Sequence, residues 1–309
     1  MKILVTGAEG FVGRHMVAEL LANKHEVLAT SIEAGDLQTP HGRVVLKRLD
    51  VTDQSACIDA VEQFNPDALI HLAGLAHSKE TEKNLPLLFN VNVAGVSNVA
   101  HALRSIPTPK TRALLFASSA FVYGADLTTG TLQCNENTPL APRGSYGHSK
   151  LAAESVARLY ESPELQVYIV RPFNHIGPGQ HPSFVVAGFA QRILSAKDGS
   201  TIETGKLNSK RDFTDVRDIV RGYRLIIEKR PAARTFVLGS GKSYPIQTVF
   251  DELCRLANKR LSTTVRADLM RSGDEADIIA DAKLARAVLG WVPEMPLSKS
   301  LADALLASN

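Results

Sequence analysis

Gly7-Ala8-Glu9-Gly10-Phe11-Val12-Gly13 follows the apolar run Ile3-Leu4-Val5, with Thr6 between them. It opens a stretch, Phe11–Ala22, in which Val12, Met16, Leu20 and Leu21 recur on one helical face. Glycines alone also make plain turns. Here a strand precedes them and a helix follows. In that setting they serve a tight turn, a close approach of backbone to a ligand and close packing of helix on strand. The helix N-terminus then offers amide donors and partial positive charge to a pyrophosphate.

Outward from this loop, β-branched runs alternate with helical patterns. The spacing predicts strands over Lys2–Val5, Glu26–Thr30, Val44–Leu49, Ala68–Leu72, Ala113–Ala117 and Gln166–Val170. It predicts helices over Phe11–Ala22, Ser55–Phe64, Asn90–Leu103 and Ser145–Tyr160. Such alternation predicts an α/β fold, a Rossmann-type doubly wound parallel sheet with helices on both faces. After Arg171 the texture changes: Pro172, Gly177, Pro178, Gly179 and Pro182 make a loop. Helices are predicted over Phe184–Ala196, Asp215–Glu228, Gln247–Asn258, Ala282–Leu289 and Ser298–Leu306, with a strand at Thr235–Leu238 and Gly290 as a C-cap. We therefore read residues 1–170 as a dinucleotide-binding domain to which 211–238 returns. Residues 171–210 and 239–309 read as a smaller mixed α/β substrate domain.

Composition narrows the function classes. With 309 residues, 44% hydrophobic and 22% charged, the chain can bury an ordinary core. A formal charge of +3 is too mild to argue for nucleic acid. Cys57, Cys134 and Cys254 are odd in number and lack CxxC spacing, so neither a disulfide framework nor a zinc site is expected. A reducing cytoplasm fits best. Met1–Val5 reads as a first strand and not a signal peptide, and no apolar run is long enough to cross a bilayer.

Tyr146-Gly147-His148-Ser149-Lys150 places a phenol and an ammonium one helical turn apart. The ammonium is expected to lower the phenol pKa from about 10 toward neutrality. Tyr146 then exchanges a proton with a carbonyl or hydroxyl oxygen. Upstream, Ser118-Ser119 sits at the carboxyl end of a predicted strand. Ser119 suits the same substrate oxygen, and Ser118 reads as a turn serine. Asn92 either links Lys150 to solvent through water or is an ordinary helix Asn. The second strand ends at Ser31 where an acidic residue would bind the ribose of NAD, and Arg14 follows the last glycine. This favours NADP(H) and leaves NAD(H) open: Glu33 still reaches the ribose, and Arg14 reads equally as a solvated helix residue.

The order of Gly7, Gly10 and Gly13, then Asp50-Val51-Thr52-Asp53, His71-Leu72-Ala73-Gly74, Asn92, Ser119 and Tyr146/Lys150 resembles the extended short-chain dehydrogenase family of nucleotide-sugar epimerases, dehydratases and reductases. The likeness covers nearly the whole chain. It implies that Phe11 and Val12 join the glycines at the cofactor, that Asp50 and Val51 border the adenine, and that Leu72, Ala73 and Gly74 line the cofactor backbone. It also implies a homodimer through the helices at Asn90–Leu103 and Ser145–Tyr160.

Within the family, Arg171–Gln180 and Lys210–Asp218 resemble reductases of GDP-linked 4-keto-6-deoxy-mannose. That likeness implies that Asn174 and Arg211 hold a diphosphate. It also implies that Arg271 pairs with phosphate and Asp274 with the nucleoside ribose. Arginine suits phosphate through its planar fork of donors. Arg217 and Asp218 read as a helix start, and His175 as a pocket wall without metal. Lys206-Leu207 departs from the Asn-Leu common in such reductases, which leaves the base open.

The residues also sort the reactions. A 4,6-dehydratase carries Asp-Glu after the serine; here Ala120 and Phe121 cannot transfer protons. The reading is an NAD(P)H-dependent reductase of a nucleotide-linked 4-keto-6-deoxy sugar. A 4-epimerase with tightly bound NAD is the alternative, followed by a non-catalytic NADP(H)-binding regulator, which would have no use for an intact Ser/Tyr/Lys set.

Overall fold

β1 (Lys2–Thr6) is apolar over most of its length because both of its faces are covered. Ile3 and Val5 face α1 (Phe11–Ala22) and α7 (Val216–Lys229), in a core with Met16, Leu20, Ile219 and Tyr223. Leu4 points the other way. It joins Val61 of α2 (Gln54–Phe64), Val99 of α4 (Gly95–Ser105) and Ala153 of α5 (Gly144–Arg158). Full burial of a large apolar side chain stabilises by about 1.5–3 kcal/mol, before the opposing entropy of ordering.

The computed structural model describes residues 1–76, 82–124, 130–266 and 277–307. β1 pairs in parallel with β2 (Glu26–Ser31) and with β5 (Ala68–His71). Beyond β5 lie β6 (Arg112–Ala117), β8 (Leu165–Pro172) and β12 (Thr235–Leu238), and beyond β2 lies β4 (Gly42–Arg48), all parallel. Among the described residues the order is β12-β8-β6-β5-β1-β2-β4-β3, with β3 (Gly35–Thr39) at the edge. This is the doubly wound sheet that the alternation predicts. Strand order reverses between β1 and β5, where such sheets bind ligands at their carboxyl ends.

Three differences from the sequence reading have physical causes. β3 (Gly35–Thr39) is an unexpected antiparallel edge strand on β4. Its turn is closed by Thr39, whose Oγ1 donates to the Gly42 carbonyl at 2.7 Å and accepts from the His41 amide. The helix expected from Asn90 begins earlier, as α3 (Leu85–Phe89), capped by Asn84 with Pro86 in its first turn. It passes through a π-helical turn at Asn90–Ala94 before α4. Several short strands were not foreseen. β9 (Asn174–Ile176), β11 (Lys210–Asp215) and β13 (Ser243–Pro245) make one small sheet, in the order β13-β11-β9. β10 (Thr201–Thr204) pairs with β14 (Ser262–Val265), and β7 (Thr131–Cys134) with β15 (Asp277–Ala280). Strands this short are specified by distant partners and leave little periodicity in the sequence.

A third core fills the smaller part. Phe189 of α6 (Val185–Ser195) meets Phe250 of α8 (Ile246–Leu256) edge to face at 5.3 Å, beside Leu301 of α10 (Leu297–Leu306). α9 (Lys283–Leu289) ends on Gly290 at φ +67°, the C-cap the sequence predicts. Asp218, in the first turn of α7, accepts from the backbone amides of Glu294 and Met295, so it ties the C-terminal segment down and does not face ligand. The three cysteines are buried thiols. Among the described residues no helix is long and apolar enough to cross a membrane.

Candidate active site

The glycine loop is shaped by close approach. Gly7 has φ +67°, and a Cβ there would lie 2.7 Å from the Ala73 amide nitrogen. A Cβ on Gly13 would lie 2.1 Å from the Gly7 carbonyl oxygen. The loops after β1 and β5 are therefore packed against each other. Gly10 starts α1, whose first turn holds no acidic residue, so its amides and partial charge suit an anion. This cradle fits a dinucleotide pyrophosphate.

From it a cavity of about 890 Å³ runs toward α6 and β11. Gly7, Gly10, Phe11, Val12 and Gly13 line it, as do Leu72 and Gly74. So do Ser119, Tyr146 and Lys150, and on the far side Asn174 and Arg211. β9 pairs with β11 so that Asn174 stands opposite Phe213, two residues beyond Arg211 and on the same face.

The other expected residues lie elsewhere. Ala73 backs the Gly7 turn. Asp50 accepts from the Thr52 amide and hydroxyl, and Val51 is buried, its carbonyl bonded by Asn98. Asn92 sits in the π-helical turn with its amide fully engaged: Oδ1 accepts from the Leu75 amide at 2.8 Å, and Nδ2 donates to the Leu75 carbonyl and to Ser149 Oγ. It clamps the loop after β5. Arg271 and Asp274 lie outside the described residues.

At the centre, Lys150 is 8% exposed and donates from Nζ to the Ala117 carbonyl at 2.9 Å. Burial lowers its pKa to about 8, opposed by the charge of Glu154. Nζ lies 5.8 Å from the centre of the Tyr146 ring. Tyr146 hydrogen-bonds Ser119, yet burial dominates and pushes the phenol up to about 12. This corrects the expectation of a phenol near neutrality: Lys150 is turned to the strand-end carbonyl, so desolvation wins. Ala120 and Phe121 follow Ser119, and the Phe121 ring meets Tyr146 edge to face at 5.6 Å. At these two positions the site presents carbon where an elimination needs an acid and a base. His175 stacks on Phe11 at 6.0 Å, with Nδ1 on the Phe173 carbonyl. Among the described residues no cluster of metal-ligating side chains occurs.

At the carboxyl end of β2, Ser31 is buried. Arg14 donates to the Glu9 carbonyl and leans toward Gly179. Sequence reasoning missed Arg48. β2 and β4 pair so that Arg48 stands in register with Ser31, exposed and without an ion pair among the described residues. The signal lies in strand register, which sequence periodicity does not carry. Also missed was the apolar wall of the far half, including Phe184, Phe189, Leu207 and Ile246, because its residues come from separate elements.

Residues 3–239 match the family described as the NAD dependent epimerase/dehydratase family. The GDP-6-deoxy-D-mannose reductase of Pseudomonas aeruginosa is 32% identical over 97% of this chain and 94% of its own length. The GDP-6-deoxy-D-talose 4-dehydrogenase of Aggregatibacter actinomycetemcomitans is 30% identical over 94% of this chain and 92% of its own. A solved structure described as RMD from Pseudomonas aeruginosa complexed with NADPH superposes with a TM-score of 0.83, at 29% identity, over 99% of this chain and 98% of that one.

Proposed function

The chain belongs to the NAD-dependent epimerase/dehydratase family, and from that premise we propose an NADPH-dependent 4-ketoreductase of a nucleotide-linked 4-keto-6-deoxy sugar. The proposed substrate is GDP-4-keto-6-deoxy-mannose, and the product GDP-rhamnose or its C4 epimer. The observation that carries this reading is an intact Ser119/Tyr146/Lys150 set flanked by Ala120 and Phe121. Such a site can move a hydride and a proton but cannot eliminate water. The names of two relatives, a reductase and a dehydrogenase of GDP-6-deoxy sugars, support it.

A nicotinamide held at the glycine loop would supply the hydride. Ser119 orients the ketone by hydrogen bonding its oxygen. Tyr146, whose raised pKa keeps its proton in place, donates it to the nascent alkoxide. Lys150 holds positive charge beside the phenol. Asn174 and Arg211 suit the diphosphate, and the proposed division of labour keeps 1–170 with 211–238 on the cofactor and 171–210 with 239–309 on the nucleotide sugar. Ser31 and Arg48 support a 2′-phosphate, hence NADPH over NADH. A homodimer through α4 and α5 belongs to the same reading.

The test is NADPH and, separately, NADH consumption by purified protein given freshly made GDP-4-keto-6-deoxy-mannose. Rapid oxidation with a preference for NADPH is expected. No oxidation with either cofactor, and NAD found bound in the purified protein, contradicts the reading and favours a 4-epimerase.

A further inference from the structure

The carboxyl end of β6 meets one stripe of α5 through three consecutive residues. The Ala117 carbonyl accepts from Lys150 Nζ at 2.9 Å. Ser118 Oγ donates to Glu154 Oε1 at 2.5 Å. Ser119 hydrogen-bonds Tyr146 through its side chain. The helix partners stand at i, i+4 and i+8, so they share a face. Two of the three rungs belong to the proposed chemistry. The third ends on Glu154, which does not line the cavity.

Glu154 is held from behind. Arg171 of β8 donates to it from Nε at 3.0 Å and from Nη2 at 2.7 Å. The side chains are 5% and 3% exposed. Arg171 also donates to Tyr123 Oη at 2.9 Å, and that hydroxyl donates to the Asn135 carbonyl. An ion pair this deep loses in desolvation much of what it gains in attraction, so net stability is a poor account of its presence. Its placement offers a better one. The groups facing Lys150 are Tyr146 and Glu154 on α5, the Phe116 ring and Ala117 carbonyl on β6, His71 on β5 and Asn92 across Gly74. His71 is neutral, because burial drives its pKa down to about 3. Glu154 is the anion of the set.

We propose that Glu154 is a positioning residue of the site: through Ser118 it locks the Ala117–Ser119 strand end onto α5, and, one helical turn from Lys150 on the same face, it adds negative charge behind the Lys150 ammonium. The role rests on the ketoreductase reading only for what the positioning serves.

Glu154→Gln and Ser118→Ala are compared with wild type by kcat, KM and the titration midpoint of Lys150, followed by NMR of lysine labelled at Cε and assigned with Lys150→Arg. Glu154→Gln removes the anion, so the Lys150 midpoint moves below that of wild type. Ser118→Ala keeps the charge and breaks one rung; kcat falls about 10- to 100-fold with KM little changed, the usual penalty for a reacting group set out of line. An unchanged midpoint in Glu154→Gln, or an unchanged kcat in Ser118→Ala, overturns the proposal. Should Glu154→Gln leave Arg171 uncompensated and unfold the chain, Ser118→Ala decides alone. The midpoint needs no turnover, so it judges Glu154 even if wild type reduces no ketone, a result that counts against the proposed reaction and not against this role.

Discussion

At Tyr146 burial and hydrogen bonding act in opposite directions, and burial prevails. A reductase needs its phenol protonated until the hydride arrives, so the raised pKa suits reduction. Tyr146→Phe removes the proton donor and little volume; turnover is expected to fall at least about 10²–10⁴-fold while NADPH quenches protein fluorescence as in wild type. Full activity in that variant would sink the assignment. Lys150 sets the pH dependence. Its pKa is lowered to about 8, so the ammonium is complete well below that pH and is lost as pH rises through it. The profile of kcat/KM, which reports the free enzyme, is expected to fall above about pH 8. A flat profile to pH 10 contradicts a role for the charged lysine. Arg48→Ala is expected to weaken NADPH binding roughly tenfold, on the order of one lost charge-assisted hydrogen bond, with NADH binding unchanged. Equal loss for both cofactors would place Arg48 away from the 2′-phosphate.

The glycine loop is where element-level reasoning carries furthest, because strand, turn and helix each demand it. Gly7→Ala must accept φ +67° and a Cβ 2.7 Å from backbone; about 1–3 kcal/mol of strain is expected, read as a lower Tm together with lost NADPH binding. α1, α5 and β6 were legible for the same reason: their periodicity is local and their flanks agree with it. The hairpin of β3 and β4 was not, since Gly35 and Asp36 read as loop until the partner strand is in place. The π-helical turn that presents Asn92 was hidden too, because a one-residue slip in helical register leaves the apolar pattern almost intact. Sequence order found Asn92 but could not show that its amide is spent on the Leu75 loop.

Across the whole molecule the cavity joins parts of the chain that are distant in sequence. The side proposed for the cofactor comes from the loops after β1, β5 and β6, all foreseeable from a parallel sheet. The far side is built from β9, β11, α6 and α8, whose pairing is non-local, so few of its residues were placed there in advance: Asn174 and Arg211, carried by resemblance, and His175, read as a pocket wall. The C-terminal segment is secured by Asp218 under the Glu294 and Met295 amides. Asp218→Ala leaves those two amides without their acceptor and takes one partner from Arg221, which keeps the Val292 carbonyl and Glu294; it is expected to cost about 2–4 kcal/mol, seen as a lower urea midpoint, and an unchanged midpoint would mean the segment is held otherwise. The central claim is hydride delivery to C4 of a nucleotide-linked sugar. Its most direct test is turnover of GDP-4-keto-6-deoxy-mannose with NADPH in which both hydrogens at C4 of the nicotinamide are deuterium, followed by NMR of the product. One deuterium at sugar C4 is expected for each NADPH oxidised. A product without deuterium, or an altered sugar with no NADPH consumed, contradicts it.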